Sequence, residues 1–366
     1  MTSRASLLAR ALVFCAVLCV PGAAMVAGPE TSKLYGVAPV AFPPVELVSG
    51  WPSDFEVFFD ANLGFKRRFV QAHNLLGYWL GDLQSNSLCV GREGWLYLLQ
   101  GSARASFLSA KPLSARGASA WKRSLLGAKD WLAGHHMRFL VVVAPDKHTI
   151  YEEHMPRGLV RARSVTRLDE LLPRLRRAGL EVVDLRPALL AAKRDAPVFD
   201  KLDTHWNGRG AKLAVELTLQ RTAELLGLPA SYAALDARLE EHDSPADLSF
   251  MLSLEHVLTE RSVRLVPRSP RAKKLNPAAP GRAGADRRQI FEVPDDALPK
   301  AVIFGDSYSD ALIPALSESF RRSVWIRRRV LDMKEVAAER PDIVILEIAE
   351  RFFVNRPPAL IRPRRK

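Results

Sequence analysis

The sequence predicts an α/β fold in which a mainly parallel β-sheet is sandwiched by helices. Short, fully apolar runs alternate with segments of helical periodicity, on both sides of a stretch rich in Pro, Ala, Arg and Gly. Strands that alternate with helices along a chain pair in parallel, and the connecting helices cover both faces of the sheet. With 366 residues, 48% of them hydrophobic and 25% charged, the chain is long enough to bury such a core.

The N-terminal segment has the layout of an export signal. Arg4 and Arg10 precede an apolar run at 11–20, which a proline and a glycine at 21–22 and several small residues follow. An uncleaved anchor is the alternative, although the proline interrupts the roughly 20 continuous apolar residues that a membrane span needs. We therefore expect residues 1–27 to be a signal peptide or an N-terminal membrane anchor, with cleavage favoured, and the protein to be periplasmic.

Charge and cysteine content restrict the partners. The net charge is +13, and its excess is concentrated in 261–288 and in the basic tail 357–366. Such a protein is suited to an anionic polymer or membrane surface, with solvated loops as the alternative. No nucleic-acid-binding motif accompanies the charge, so nucleic acid is not an expected partner. Two of the three cysteines lie in the export segment, which leaves Cys89 and no internal disulfide.

An N-terminal extension is predicted before the main domain. Residues 28–85 comprise an extended arm, rich in proline and valine at 35–52, and a helical hairpin with helical spacing at 55–80. The segment 87–99 has two apolar runs on either side of a glycine-containing turn, which predicts a β-hairpin. The compact domain, 86–356, begins with this hairpin.

Alternating helices and strands are then predicted through the domain. In chain order they are helix 122–132, strand 138–144, helix 164–178, strand 181–185, helix 210–226, strand 301–305, a helix from 310, strand 323–326, helix 333–339 and strand 342–348. Between the two halves, 266–288 has no periodicity and is predicted to be a long exposed loop that interrupts the domain without dividing it.

The turn Gly305-Asp306-Ser307 joins an apolar strand to a predicted helix. Such a turn places a serine hydroxyl at the carboxyl edge of the sheet, where open α/β proteins bind ligands. The backbone N–H groups at a helix start can also stabilise a developing oxyanion. The alternative is a helix N-cap, because Asp and Ser are both favoured there. Ser307 is therefore a candidate nucleophile for acyl transfer.

Asp203 and His205 precede the helix predicted at 210–226. In an extended segment, residues two apart point the same way, so both side chains can face one pocket. A serine nucleophile needs an adjacent base, and that histidine needs a third group to fix its tautomer. A capping or solvent-exposed pair is the alternative. Metal ligation is disfavoured because no second histidine or carboxylate cluster has matching spacing.

Four segments together resemble a known family, the SGNH hydrolase-like domain of alginate O-acetyltransferases of the AlgJ and AlgX type. They are Val90-Gly91-Arg92-Glu93-Gly94-Trp95-Leu96-Tyr97, Pro145-Asp146-Lys147 with Tyr151 and Pro156, Asp203-Thr204-His205-Trp206-Asn207, and Phe304-Gly305-Asp306-Ser307-Tyr308-Ser309-Asp310. The resemblance covers about 54–355. It implies an SGNH hydrolase-like fold in which Ser307 is the nucleophile, His205 the general base and Asp203 the orienting carboxylate.

The resemblance also implies a function. The expected enzyme is an O-acetyltransferase that acts on a secreted polysaccharide through an acyl-serine intermediate, without a cofactor, and receives acetyl groups from a membrane-bound O-acyltransferase. Lys147 and Tyr151 follow a strand that ends at Ala144, so they are expected at the same sheet edge as substrate contacts; a surface lysine and a packed tyrosine are the alternative. A carbohydrate esterase or deacetylase with the same triad, or a non-catalytic subunit of an export complex, stays open.

Overall fold

The computed structural model describes residues 4–27, 40–41, 43, 51–244, 246–276 and 288–362. The helices are α1 (Arg4–Ala27), α2 (Trp51–Asn62), α3 (Lys66–Leu80), α4 (Ser102–Leu108), α5 (Ala115–Ala133), α6 (Lys147–Ile150), α7 (Arg167–Arg177), α8 (Arg186–Ala192), α9 (Gly208–Leu226), α10 (Asp247–Met251), α11 (Ile313–Leu316) and α12 (Met333–Glu339). The strands are β1 (Leu88–Val90), β2 (Leu96–Leu98), β3 (Arg138–Ala144), β4 (Val182–Asp184), β5 (Ala237–Ser244), β6 (Glu260–Pro267), β7 (Lys273–Lys274), β8 (Arg288–Glu292), β9 (Lys300–Gly305), β10 (Arg322–Arg327), β11 (Val330–Asp332), β12 (Ile343–Ala349) and β13 (Ala359–Ile361).

The described residues divide into two compact units. The first unit takes those within 1–83 and 245–259, and the second takes those within 84–244 and 260–366. In the first unit, α2 and α3 occupy the segment predicted to be a helical hairpin. The predicted arm at 35–52 lies almost entirely outside the described residues.

The N-terminal helix α1 does not end at Pro21, where the sequence predicts a break. The helix continues through this proline to Ala27, although proline removes a backbone donor from a helix interior. In the parts of the chain that the structure describes, no helix combines the length and the apolar character needed to cross a membrane.

The second unit contains a seven-stranded mixed sheet with the order β4-β3-β12-β9-β10-β8-β7. The five strands from β4 to β10 pair in parallel, whereas β8 and β7 are antiparallel. The prediction of a mainly parallel sheet missed this antiparallel edge. Strand β7 is only the exposed pair Lys273–Lys274, so no apolar run marks it in the sequence.

Two other predicted irregular segments contain strands where they are described. Within 266–288, residues 266–267 end β6, β7 follows, and β8 begins at Arg288, while 277–287 lie outside the described residues. Within the predicted tail 357–366, β13 pairs in parallel with β11, and 363–366 lie outside the described residues. Neither segment is therefore wholly loop.

The sheet is covered by helices on both faces. Along β3, Leu140 and Val142 pack in one cluster with Ala214 of α9. Val141 and Val143 point the other way, into a second cluster that contains residues of α5, α7 and α12. This alternation follows from the two-residue period of a strand. Because both faces are buried, β3 after Arg138 and β12 apart from Glu347 are apolar throughout, as expected for central parallel strands.

The register of the parallel strands brings their carboxyl ends together. Ala349 at the end of β12 pairs with Ala144 at the end of β3, and Arg327 of β10 pairs with Gly305 of β9. The residues that follow these four strands therefore share one edge of the sheet.

Candidate active site

Ser307 lies just beyond β9, at the shared carboxyl edge. It begins a 3-10 helix, Ser307–Ala311, whose N-cap is Asp306 rather than Ser307. The Asp306 carboxylate accepts a hydrogen bond from the N–H of Tyr308 at 3.1 Å. The capping role that the sequence left open thus belongs to Asp306, and the Ser307 hydroxyl is available for chemistry. The predicted helix from 310 is this 3-10 helix followed by the short α11.

Gly305 is required by the tightness of this turn. A Cβ atom at this position would lie 2.6 Å from Ser309 Oγ and 3.1 Å from Glu347 Oε2. Both distances are too short for an ordinary contact, so the backbone can approach its neighbours only without a side chain.

Asp203 and His205 lie on an irregular segment that is closed by an isolated bridge between Phe199 and Trp206 and is followed by helix α9. The Asp203 Oδ1 atom accepts hydrogen bonds from the His205 backbone N–H at 2.8 Å and from its ring Nδ1 at 2.9 Å. Asn207 then caps α9 by accepting the N–H groups of Arg209 and Gly210. The aspartate is thus held against its histidine, and the following helix fixes where the segment ends.

The structure brings the three predicted residues together. His205 Nε2 lies 2.7 Å from Ser307 Oγ, across 102 residues of sequence. Because an ionised carboxylate can only accept, Asp203 requires the proton on Nδ1, which leaves Nε2 free to accept from the serine hydroxyl. The side chains of His205 and Asp203 are 24% and 27% exposed, so reactants can reach them. This arrangement can activate a serine for attack on a carbonyl.

Two carboxyl groups, one of them fully buried, bind the backbone around the serine turn. Glu347 of β12 accepts the N–H of Asp306 at 3.0 Å, and Asp306 Oδ2 accepts the N–H of Ala349 at 2.8 Å. Burial, and then the nearby Asp306, raise the pKa of Glu347 well above its ordinary range. Through its bond to Asp306, Glu347 ties the end of β9 to β12.

An ion pair links three of the strand ends. Arg351, which follows β12, donates to the Asp146 carboxylate at 2.6 Å, and its guanidinium lies 5.2 Å from the ring centre of Tyr308. The Tyr308 hydroxyl donates to the carbonyl of Thr204 at 3.0 Å. Tyr308 thus connects the serine turn directly to the segment that carries His205.

Lys147 and Tyr151 lie at the predicted edge, but they are buried. Lys147 is 3% exposed and donates to three backbone carbonyls of the segment that carries Asp203. Tyr151 is 6% exposed, packs on Trp95 and accepts the N–H of Val198 at 3.0 Å. The alternative of a packed tyrosine matches this placement, whereas a surface lysine does not. A contact of either residue with a substrate stays a prediction.

One cavity of the second unit is separate from these residues. Its volume is about 570 Å³, and it is lined by α4 and by residues that follow β12. Neither Ser307 nor His205 nor Asp203 lines it. The three residues therefore lie at a partly exposed edge of the sheet.

Sequence reasoning missed several residues that shape the site. Asp306 stands in the serine turn itself, but the sequence pattern indicates only that it can cap a helix. Glu347 and Arg351 stand in and just after a strand without a motif of their own, and Arg351 pairs with Asp146. The contact of Tyr308 with Thr204 joins residues 104 positions apart, and no local pattern indicates it.

A parallel-centred sheet covered by helices, with a serine, histidine and aspartate converging at its carboxyl edge, defines the class of SGNH hydrolase-like proteins. Comparison of the sequence with family models agrees with the structure. The chain belongs to the family described as the SGNH hydrolase-like domain of acetyltransferase AlgX, whose model matches residues 88–350.

Individual relatives are more distant. The chain is similar to a probable alginate O-acetylase AlgJ of Pseudomonas aeruginosa, with 28% identity over 70% of this chain and 63% of that protein. The match thus spans less than two thirds of that relative. A protein of the same description from Pseudomonas syringae pv. tomato is 23% identical over 83% of this chain and 78% of its own length.

Solved structures share the fold. The O-acetyltransferase domain of Pseudomonas putida AlgJ superposes with a TM-score of 0.50 at 18% identity, covering 74% of this chain and 93% of that domain. Bacillus cereus PatB1, solved with a sulfonyl adduct, gives a TM-score of 0.55 at 12% identity, covering 73% and 95%. At these identities the likeness establishes the architecture alone.

Proposed function

We propose that the protein is an O-acetyltransferase that modifies a secreted polysaccharide through an acyl-enzyme on Ser307. The observation that carries the proposal is the chain of two hydrogen bonds, Ser307 Oγ to His205 Nε2 and His205 Nδ1 to Asp203, at 2.7 and 2.9 Å. Family membership supports acetyl transfer as the chemistry. The descriptions of the similar AlgJ proteins make alginate the first acceptor to test.

The first half-reaction forms the acyl-enzyme. Ser307 Oγ attacks the carbonyl carbon of an acetyl donor while His205 Nε2 takes the hydroxyl proton. The tetrahedral intermediate collapses, the bond to the leaving group breaks, and His205 returns the proton to that group. Asp203 stabilises the imidazolium between the two steps. At the start of the 3-10 helix, the N–H of Ser307 is the proposed donor to the developing oxyanion.

The second half-reaction transfers the acetyl group. A sugar hydroxyl gives its proton to His205 Nε2 and attacks the acyl carbon, after which Ser307 leaves and recovers the proton. Partial exposure of His205 and Asp203 at an open sheet edge suits a polymer acceptor, which extends beyond the site on both sides. The donor in the cell would be a membrane-bound O-acyltransferase, and the reaction would take place in the periplasm.

The test is acetyl transfer by the purified protein. We would incubate it with p-nitrophenyl acetate and unacetylated alginate oligosaccharides, and weigh the products by mass spectrometry. Wild type is expected to add acetyl groups to the oligosaccharide, and Ser307→Ala and His205→Ala are expected to lose at least about 1,000-fold in rate. Ser319→Ala, at the opposite edge of the sheet, is the control and should retain full activity.

Each competing function predicts a different result. An esterase would release acetate from the donor or from acetylated sugar without labelling the acceptor. A non-catalytic subunit would show no dependence of either reaction on Ser307. Trapping of a wild-type species heavier by one acetyl group, absent in Ser307→Ala, separates both serine enzymes from the binding protein.

A further inference from the structure

The strongest unexplained contact near the site is made by Lys147. Its ammonium donates to the carbonyl oxygens of Asp200, Lys201 and Asp203 at 3.2, 2.9 and 2.5 Å. An ammonium group has three N–H donors, and three carbonyls of one short segment match that number. A buried cation is costly unless it is compensated in this way.

Two aromatic rings complete the surroundings of this cation. The Nζ atom lies 5.6 Å from the ring centre of Trp95 and 5.3 Å from that of Tyr97, both on the hairpin formed by β1 and β2. Cation–π contacts at these distances favour the charged form and restrict the side chain. Lys147 is therefore fixed between the hairpin and the segment that carries the catalytic pair.

The segment 200–203 has little regular structure of its own to hold it. Its carbonyl groups are bound by Lys147, and its N–H groups at Lys201 and Leu202 donate to the Glu260 carboxylate at 2.9 and 2.7 Å. The side chain of Asp200 is bound by Asn207 and by Ser262. One backbone bond, from the N–H of Leu96 to the carbonyl of Lys201 at 2.9 Å, also reaches the segment, but side chains supply most of the bonds that fix this backbone. Lys147 binds the largest number of its carbonyls.

We propose that Lys147 is a positioning residue that holds segment 200–203 so that Asp203 and His205 face Ser307. The proposal rests on Ser307 being the nucleophile, and it assigns Lys147 a role distinct from contact with the sugar. The carbonyl of Asp203 itself is one of the three acceptors, so a shift of the segment moves the catalytic aspartate directly. An error of about 1 Å in such a geometry lowers a rate by about 100-fold.

The experiment compares Lys147→Met with Lys201→Met. Both replace one lysine of the same neighbourhood by an uncharged chain of similar length, but the Lys201 side chain is exposed. Two readouts are measured: the rate at which phenylmethylsulfonyl fluoride modifies Ser307, and kcat and KM for p-nitrophenyl acetate and for the oligosaccharide acceptor. Sulfonylation needs an assembled triad but no sugar. Lys147→Met should lower sulfonylation and kcat by about 100-fold, with KM for the acceptor unchanged, and Lys201→Met should match wild type.

The opposite pattern overturns the proposal. If Lys147→Met is sulfonylated at the wild-type rate but has a raised KM for the oligosaccharide, Lys147 contacts the substrate. Circular dichroism and thermal melting establish whether each variant folds. If Lys147→Met does not fold, Lys147→Gln, whose side-chain amide keeps hydrogen-bond donors, provides the same comparison. If Ser307 of wild type is itself unreactive towards both reagents, it is the proposed function that fails.

Discussion

At the scale of single residues, the position of Ser307 depends on atoms that take no part in the proposed reaction. Asp306 receives N–H groups from two directions, and Glu347 accepts the N–H of Asp306. Gly305 leaves room for both neighbours. The serine hydroxyl therefore depends on a tightly packed turn that tolerates little displacement.

Gly305→Ala tests this packing. The added methyl group would lie 2.6 Å from Ser309 Oγ and near a buried carboxyl group, so the turn must shift and Ser307 with it. We expect kcat for acetyl-ester hydrolysis to fall by about 100-fold and the free energy of unfolding to fall by about 1–3 kcal/mol. Denaturant titration and steady-state kinetics measure the two effects.

Gly158→Ala is the matched control, because a Cβ atom there would meet nothing within 4 Å. Its activity should equal that of wild type. If Gly305→Ala were as active as this control, the turn would not be the constraint inferred here.

The proximity of Ser307, His205 and Asp203 could be predicted because each stands in a short local pattern beside an apolar run or a helix start. The residues around them could not. The acceptors of Lys147 lie 53 to 56 positions away in the sequence. Glu347 is a single carboxyl residue within an apolar strand, and no local pattern indicates that it contacts Asp306. Contacts of that sequence separation carry no periodic signal.

At the scale of elements, helix α9 begins just after His205 and fixes its position. The Asn207 side chain accepts the N–H groups of Arg209 and Gly210, and its amide donates to the carbonyl of Pro197 at 3.0 Å. One side chain thus caps the helix and fastens the segment that carries Asp203 and His205 to the chain that precedes it.

Asn207→Ala should therefore affect both stability and activity. Loss of an N-cap costs about 0.5–2 kcal/mol, and release of the segment should lower kcat by at least about tenfold. Thr166→Ala is the comparison, since Thr166 caps α7 with a capping box and should cost similar stability with activity intact. Equal activity in the two variants would show that the cap of α9 is only structural.

Strands and helices differed in how well the sequence predicted them. The central strands were predictable because burial on both faces makes each one an almost entirely apolar run. The long antiparallel pair of β5 and β6 was missed because charged residues face solvent along much of both strands. Helix α5 begins at Ala115 rather than at 122, because its first turns carry too few apolar residues to show the period.

At the scale of the whole molecule, buried ionisable groups make stability depend on pH. Burial lowers the pKa of His148 from its ordinary value of 6.5 to about 4, although Asp146 partly opposes the change. Burial raises the pKa of Glu350 from 4.5 to about 7. The unfolded chain binds a proton at His148 first as the pH falls, and loses a proton from Glu350 first as the pH rises. The two groups act in opposite directions over overlapping ranges.

His148→Gln should isolate one of these contributions. The depressed pKa stabilises the wild-type fold fully above pH 6.5, and this stability is lost as the pH falls to about 4, by an amount on the order of 3 kcal/mol. Chemical denaturation of wild type and variant between pH 4 and 7.5 gives the difference. Wild type should lose more stability than the variant on acidification, and parallel curves would contradict a buried neutral imidazole.

The contacts of segment 200–203 have a further consequence for the cooperativity of the enzyme. The sheet is held by ladders of backbone bonds, whereas this segment is held by the side chains of Lys147, Glu260, Asn207 and Ser262 and by one backbone bond from Leu96 to Lys201. Its opening breaks these contacts and leaves the ladders of the sheet intact, so we expect its local free energy of opening to be lower than that of the sheet. Hydrogen exchange should therefore distinguish a fast catalytic subregion from a slow core, and heat should inactivate the enzyme reversibly before the molecule melts.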